Sequence, residues 1–403
     1  MRDFLRDGKL LSLMLGHLTV DSYVGIIPVL YPVLIGRFSL NLATVGLISL
    51  AYSGTAAISQ PLFGVIADRY GTRFTGVTLA WTALTFSLVG FVPSFPLLVV
   101  LACASGLGSG AFHPLGALDV RALLPKRSRS AGMSIYVTAG TVGVALGPLI
   151  GIGVMTWLGL RGTGVLVIPG IATGAYLLWR MRRTATAEST ARKAPAFAKQ
   201  AVPMLALAAV IGVMMSRSWT LQVIQTFTPT WYKEQGYGPE FYGPLVTTMV
   251  LASAVGTVGC GWLADRYGRR TLILITLVLS IPAILLYTMF PGPWAFGTGI
   301  LIGFLAASTA PLMLLMAQQL MASRAGLASG LVMGLGFVTG ALGVPINGAI
   351  ADVIGLQRAL MTQVILVVVT IVIAWFLPTE GEMEKYSAPA APPAEALKPS
   401  VVT

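Results

Sequence analysis

Charge is what this sequence lacks most. Asp, Glu, Lys and Arg make up only 10% of its 403 residues, against 56% hydrophobic, where a soluble domain carries about 25% charged. A surface so poor in charge cannot be solvated by water, which excludes a soluble globular protein and leaves lipid as the solvent. Cysteine is scarce too. Cys103 and Cys260 both lie inside apolar segments, so two free thiols are expected and a disulfide framework is excluded. With two histidines and no Cys/His/carboxylate group at metal-ligand spacing, no metal site is expected. The phosphate-cradling pattern G-x-x-x-x-G-K-[S/T] is absent, which argues against ATP as an energy source. No cofactor and no enzymatic constellation is indicated. The start, MRDFLRDGKL, leads into an apolar run without a small-residue cleavage site, so it is read as a first spanning helix rather than a removed signal peptide.

What the chain has instead is long apolar runs. A spanning helix needs about 20 mostly apolar residues. By that rule twelve spans are read, over about 10–36, 41–66, 74–93, 95–120, 131–157, 163–180, 203–231, 241–263, 271–290, 293–320, 326–350 and 358–377. Residues 1–180 then form one six-helix bundle and 201–379 a second. Between them, 181–200 is polar and basic and is expected to be a cytoplasmic linker; 380–403, rich in Ala, Pro and Glu, reads as a disordered cytoplasmic tail. Of the 26 Lys and Arg residues, only Arg37, Arg161, Lys233 and Arg358 fall in loops opposite the termini, and Arg217 lies within a span. The positive-inside rule therefore places both termini in the cytoplasm. The net charge of +12 is a topology signal and not a nucleic-acid footprint. The basic linker also offers a surface to anionic lipid heads.

One charged pattern occurs twice. Gly64-Val-Ile-Ala-Asp68-Arg69-Tyr70-Gly71 returns as Gly261-Trp-Leu-Ala-Asp265-Arg266-Tyr267-Gly268, an offset of 197 residues, close to half the chain. Both copies fall in loops on the side of the termini, between spans two and three and between spans eight and nine. The glycines allow a tight turn and close helix approach. The carboxylates can accept hydrogen bonds at a helix end or pair with a basic neighbour. Asp68, Arg69, Gly71, Asp265, Arg266 and Gly268 are therefore read as a turn and conformational latch rather than a substrate site. Duplicated bundles are also how many secondary transporters are built.

Twelve spans in two related halves, with G-x-x-x-D-R-x-G in these loops, resemble the major facilitator superfamily. Span five adds Gly143-Val-Ala-Leu-Gly147-Pro148-Leu-Ile-Gly151, similar to the G-x-x-x-G-P-x-x-G of that superfamily's antiporters. On physical grounds alone, small residues at i, i+4 and i+8 permit close helix approach and Pro148 a bend, which is a packing and hinge role. His17-Leu-Thr-Val-Asp21 in span one, Phe112-His113-Pro114 in a Gly-rich span four, and Phe227-Thr-Pro229 in span seven resemble the bacterial fosmidomycin-resistance proteins. Members of that group often carry an acid directly after F-H-P, where this chain has Leu115; the span-four arginine of many drug/proton antiporters is Ala102 here. The resemblance implies a monomeric major facilitator fold in a bacterial inner membrane, with spans one, four, seven and ten lining a central cavity.

An ionisable side chain deep in a span costs about 2.5–3.5 kcal/mol to insert and is a functional candidate by default. Those residues are His17, Asp21, His113, Asp119 and Arg217. At ~1.5 Å per residue Asp21 lies roughly 16 Å into span one, one turn from His17 on the same face. The pair is either a proton carrier with its imidazole partner or a satisfied structural pair. Arg217 cannot discharge, and its planar fork suits phosphate, phosphonate or carboxylate. It either holds an anionic substrate, trading it for Asp21, or forms a permanent salt bridge with Asp21 or Asp119. His113 is a substrate ligand or a stabiliser of the kink at Pro114. Tyr23 and Gln222 complete the candidate substrate contacts. Asp119 and Arg121, near the end of span four, are assigned to the latch, and Trp231 and Tyr232 are read as lipid-interface anchors. The expected function is secondary active transport: proton-coupled export of a small anionic or amphiphilic drug or metabolite by alternating access. Proton-coupled uptake of an organic acid or sugar is the alternative, and a non-transporting membrane sensor a third.

Overall fold

The computed structural model describes residues 8–124, 129–181, 202–307, 310–321 and 325–387. The expected linker beyond Met181 and the tail beyond residue 387 lie outside the described residues. The elements are α1 (Gly8–Phe38), α2 (Leu42–Ser49) running through a π turn (Leu50–Gly54) into α3 (Thr55–Tyr70), α4 (Thr75–Ser87) ending in a 3-10 turn (Leu88–Phe91), α5 (Phe95–Leu123), α6 (Arg129–Leu158), a 3-10 turn (Leu160–Leu166) leading into α7 (Val167–Met181), α8 (Met204–Glu234), α9 (Pro239–Tyr267), α10 (Arg269–Met289), α11 (Trp294–Ala307), α12 (Ala310–Leu320), α13 (Ala325–Ile354), α14 (Leu356–Met361), α15 (Gln363–Ala374) and α16 (Glu380–Ser387). Among the described residues, ten helical segments are long and apolar enough to cross a membrane. The expected third span is the shorter Thr75–Phe91, and the expected eighth corresponds to the 29-residue α9. Both cysteines are free.

The two repeat copies end helices in the same way. Gly71 and Gly268 close α3 and α9 with φ of 75° and 84°, a region that glycine enters without a Cβ penalty. Their N–H groups donate back to the carbonyls of Ala67 at 2.8 Å and Ala264 at 2.9 Å. The repeat is thus a helix stop used twice. Asp68, Arg69 and Asp265 lie outside the described side chains. Arg266 is exposed and stacks over its neighbour Tyr267.

α1 packs on α6 and α4 on α7, while α8 packs on α13 and α9 on α11. Across the halves α2 meets α13 and α6 meets α9. Backbones touch along this seam: Gly46 lies against Val344 and Pro345, and Gly348 against Leu42. Asp352 spans it with both oxygens, accepting from Leu42 N–H at 2.7 Å and Ala43 N–H at 2.9 Å. These N–H groups open a helix, where donors lack intrahelical partners and the dipole is positive. Lys233 Nζ donates to the Pro32 carbonyl at 3.0 Å, and Thr247 Oγ1 to the Ala145 carbonyl at 2.7 Å. Apart from the Thr247–Ala145 bond, which lies midway along α6, these contacts lie toward the end of the bundle away from Gly8. Asp352→Ala is expected to weaken that contact by about 1 kcal/mol, the worth of a capping side chain, or about fivefold in the local opening equilibrium. Hydrogen–deuterium exchange over 40–50 should rise in the variant; unchanged protection would remove Asp352 from the seal.

Two expectations need correction. The tail is ordered over Glu380–Ser387, which forms α16. The cause is local: Thr379 N–H and Oγ1 donate to Glu382 Oε2 at 2.8 and 2.9 Å, and Glu382 N–H returns to Thr379 Oγ1 at 3.4 Å. This is a capping box, legible in Thr379-Glu-Gly-Glu382. The Thr379 amide and hydroxyl hold the Glu382 carboxyl below its ordinary value. Buried Met383 and an Arg269 N–H to Glu380 bond of 2.8 Å dock α16 beside the second repeat copy. Trp231 and Tyr232 are not lipid anchors. They are 1% and 0% exposed in an aromatic cluster with Tyr237, Phe241 and Tyr287, because their faces turn to neighbouring helices of the second half.

Candidate functional site

Three ionisable side chains converge deep in the first half. α1 presents His17 and Asp21 one turn apart, and α5 brings in His113. His17 Nε2 lies 3.2 Å from Asp21 Oδ2, and His113 Nε2 lies 3.4 Å from Asp21 Oδ1. The side chains of His17 and Asp21 are 8% and 15% exposed, while that of His113 is 28% exposed. On its far side His17 Nδ1 is 2.9 Å from the Tyr136 carbonyl of α6, and its ring stacks on the Tyr136 ring at 4.2 Å. His113 crosses His17 edge to face at 5.2 Å, and Ser109 Oγ lies 3.5 Å from His113 Nε2.

The Tyr136 contact decides the chemistry. A carbonyl only accepts, so His17 Nδ1 must carry a proton. In neutral imidazole Nε2 is then a bare acceptor, facing a carboxylate oxygen that is also an acceptor. Two acceptors 3.2 Å apart repel unless a proton lies between them. Either imidazolium faces carboxylate or neutral imidazole faces carboxylic acid; each form holds one proton more than the bare site. His113 offers Asp21 a second basic nitrogen. Three donor atoms, one from each residue, lie within 4.8 Å of one another, a composition a metal ion would also accept. Spacing gave no hint of this cluster, because His113 is 92 positions from Asp21 and meets it only through the packing of α5 on α1.

Sequence reasoning missed Gly140. It sits three residues before Gly143 in α6, and a Cβ there would land on Asp21 Oδ2 and His17 Nε2. Gly140→Ala is expected to displace the pair and, if the pair serves the transport expected from the sequence, to slow it on the order of 10- to 100-fold, the effect of a misplacement near 1 Å, with little change in thermal stability. Initial rates in proteoliposomes would show it, and a wild-type rate would mean that the pair tolerates displacement.

The other candidates are placed elsewhere. Gly143 and Gly147 meet the α1 backbone at Leu18 and Gly25, and Gly151 meets Ile26 and Val29. The glycine stripe with Pro148 is therefore the contact that carries α1, and with it His17 and Asp21, against α6. Asp119 accepts from Thr75 Oγ1 at 2.9 Å and from Thr72 Oγ1, tying the end of α5 to the turn after Gly71. Arg121 lies outside the described side chains. Tyr23 is 1% exposed, and its hydroxyl donates to the Leu166 carbonyl at 2.8 Å, which leaves no face for a substrate. Gln222 is half-buried, with Nε2 3.1 Å from Thr226 Oγ1.

Arg217 departs furthest from expectation. Among the described residues it pairs with neither Asp21 nor Asp119. Its Nε donates to the Ala306 carbonyl at 3.1 Å and Nη2 to the same oxygen at 3.0 Å and to the Leu305 carbonyl; Nη1 reaches Thr276 Oγ1 at 3.4 Å. The guanidinium is turned into the second half, toward α10 and α11. An exchange of Asp21 for substrate at this arginine has no geometric basis in the arrangement described.

Comparison with known proteins gives the context. The family model described as Major Facilitator Superfamily matches residues 13–321 and 207–402. An MFS-type transporter of Bacillus subtilis strain 168, YfnC, is 28% identical over 390 residues, covering 92% of each chain. The fosmidomycin resistance protein of Escherichia coli strain K12 is 27% identical over 354 residues, covering 86% of each. The chain also superposes on an inward-facing, occupied bacterial homologue of the human lysosomal transporter Spinster with a TM-score of 0.80 at 16% identity, over 97% of this chain and 99% of the other.

Proposed function

The chain belongs to the Major Facilitator Superfamily, a family of transporters and not of enzymes, and from that premise we propose that it is a proton-coupled antiporter that exports a small amphiphilic compound. Twelve spans in two six-helix bundles rock about a midplane site, with both termini in the cytoplasm of a bacterial cell. In that orientation the seam held by Asp352 and Lys233 closes the outer side.

The observation that carries this reading is the acceptor-to-acceptor contact between His17 Nε2 and Asp21 Oδ2 at 3.2 Å, with Nδ1 committed to a carbonyl. A site that needs a proton to be stable is suited to coupling. Asp21 carries the proton, His17 fixes its position, and the more exposed His113 is the group a substrate meets first. A substrate that turns a hydrogen-bond donor or a positive group toward Asp21 displaces the proton, and a returning proton displaces substrate. Two competing occupants at one site are what make transport an exchange.

The similarity to a fosmidomycin resistance protein supports including that phosphonate among the compounds tested. In sealed proteoliposomes, an imposed pH gradient should drive a compound from a drug and metabolite panel against the direction of proton flow. Movement with the proton flow would establish uptake by symport instead, and no gradient-dependent movement of any compound would refute proton coupling.

A further inference from the structure

We propose that the second half holds a binding site for a small monovalent inorganic anion, of which chloride is the most available, in a small pocket between α8, α10, α11 and α15. This goes beyond the transport site, which lies in the first half and shares no residue with it. The inference starts from a charge without a counter-ion. Arg217 is 7% exposed and cannot discharge under ordinary conditions. Among the described residues no carboxylate lies within ion-pair distance of it. Its four hydrogen bonds go to two backbone carbonyls and one hydroxyl, which are dipoles and not charges. A full cation solvated only by dipoles inside a bilayer remains costly.

Beside it is a small cavity lined by Arg217, Thr220, Ser216, Ser280 and Thr370 among apolar side chains, with room for a species of about the size of water. Thr220 is three residues after Arg217 on α8, so both present the same helix face. It is 6% exposed, and its Oγ1 has no hydrogen-bond partner, a rare state for a buried hydroxyl. The hydroxyls of Ser216, Ser280 and Thr370 donate to their own helices four residues back, at Gly212, Thr276 and Leu366, and can swing toward a nearby anion without moving the backbone. Nη1 makes one bond here and has a second N–H to give. An uncompensated guanidinium, a free hydroxyl and a small adjoining pocket together describe an anion's coordination shell. A water would satisfy Thr220 and leave the charge unmatched.

The test is a chloride titration on the full-length protein in detergent, with gluconate replacing chloride at constant ionic strength and thermal unfolding as the readout. Chloride should raise the unfolding temperature saturably, and bromide should replace it. Thr220→Val keeps the side-chain volume and removes one donor to the anion, and should raise the half-saturating concentration at least about tenfold. Arg217→Gln should abolish the chloride dependence at any residual stability. If Arg217→Gln does not fold, Thr220→Val alone decides. A flat chloride response in the wild type, or a response unchanged in Thr220→Val, would overturn the site and leave Arg217 as a helix-to-helix tie.

Discussion

Asp21→Asn is expected to abolish pH-driven transport while preserving substrate exchange in the absence of a gradient. A carboxamide matches the protonated acid in shape and still offers hydrogen bonds to His17 Nε2 and His113 Nε2, which lie 3.2 and 3.4 Å from the native oxygens. It cannot take or release a proton at any working pH. Gradient-driven flux should therefore fall by at least about 100-fold, the lower end of what a positioned proton-transfer group contributes. Exchange of labelled for unlabelled substrate requires only the loaded site and should continue. The contrast separates coupling from folding. Equal loss of both activities would mean that Asp21 holds α1 in place and does not carry the proton.

Gly147→Val should sharply destabilise the protein. A Cβ at Gly147 meets the Cα and carbonyl carbon of Gly25 and the carbonyl of Ser22, so backbone faces backbone and no side chain can turn away. Overpacking of this kind costs about 1–3 kcal/mol and sometimes more, against a total stability of about 5–15 kcal/mol for a typical domain. The helix pushed away is α1, which carries His17 and Asp21, so any surviving protein should also transport poorly. Gly153, in the same helix, has nothing within 4 Å of its Cβ position, and Gly153→Val is the control. Size-exclusion profiles and unfolding temperatures should show loss of the monodisperse peak for Gly147→Val and near-wild-type behaviour for Gly153→Val. If the two variants behaved alike, the close approach of α1 and α6 would not be what limits stability.

The fold was legible because its signals are local and repeated. Apolar runs of spanning length, a duplicated helix stop at Gly71 and Gly268, and the stripe Gly143, Gly147, Gly151 each act through neighbours in sequence or one facing helix. The His17–Asp21 pair was legible for the same reason, being one helical turn apart. What the sequence hid was direction. Nothing in the spacing of α8 says whether Arg217 faces the central cavity or the interior of its own half, and its insertion cost is the same either way. His113 had a proline-kink explanation that concealed its contact with Asp21. Gly140 had a signal, the extension of a small-residue stripe by one more turn, and its importance lies in which side chains stand opposite. The ordered α16 also had one, the capping box at Thr379 and Glu382, outweighed by the composition of the residues after it.

The central claim, that substrate and a proton compete at Asp21, is tested most directly by proton release. The purified protein, in weakly buffered detergent solution with a pH indicator, is mixed with the transported compound identified in the proteoliposome panel. The wild type is predicted to release protons in a saturable, stoichiometric way as the compound binds, and Asp21→Asn to bind it and release none. Equal release from both proteins, or binding to the wild type without release, would contradict the account.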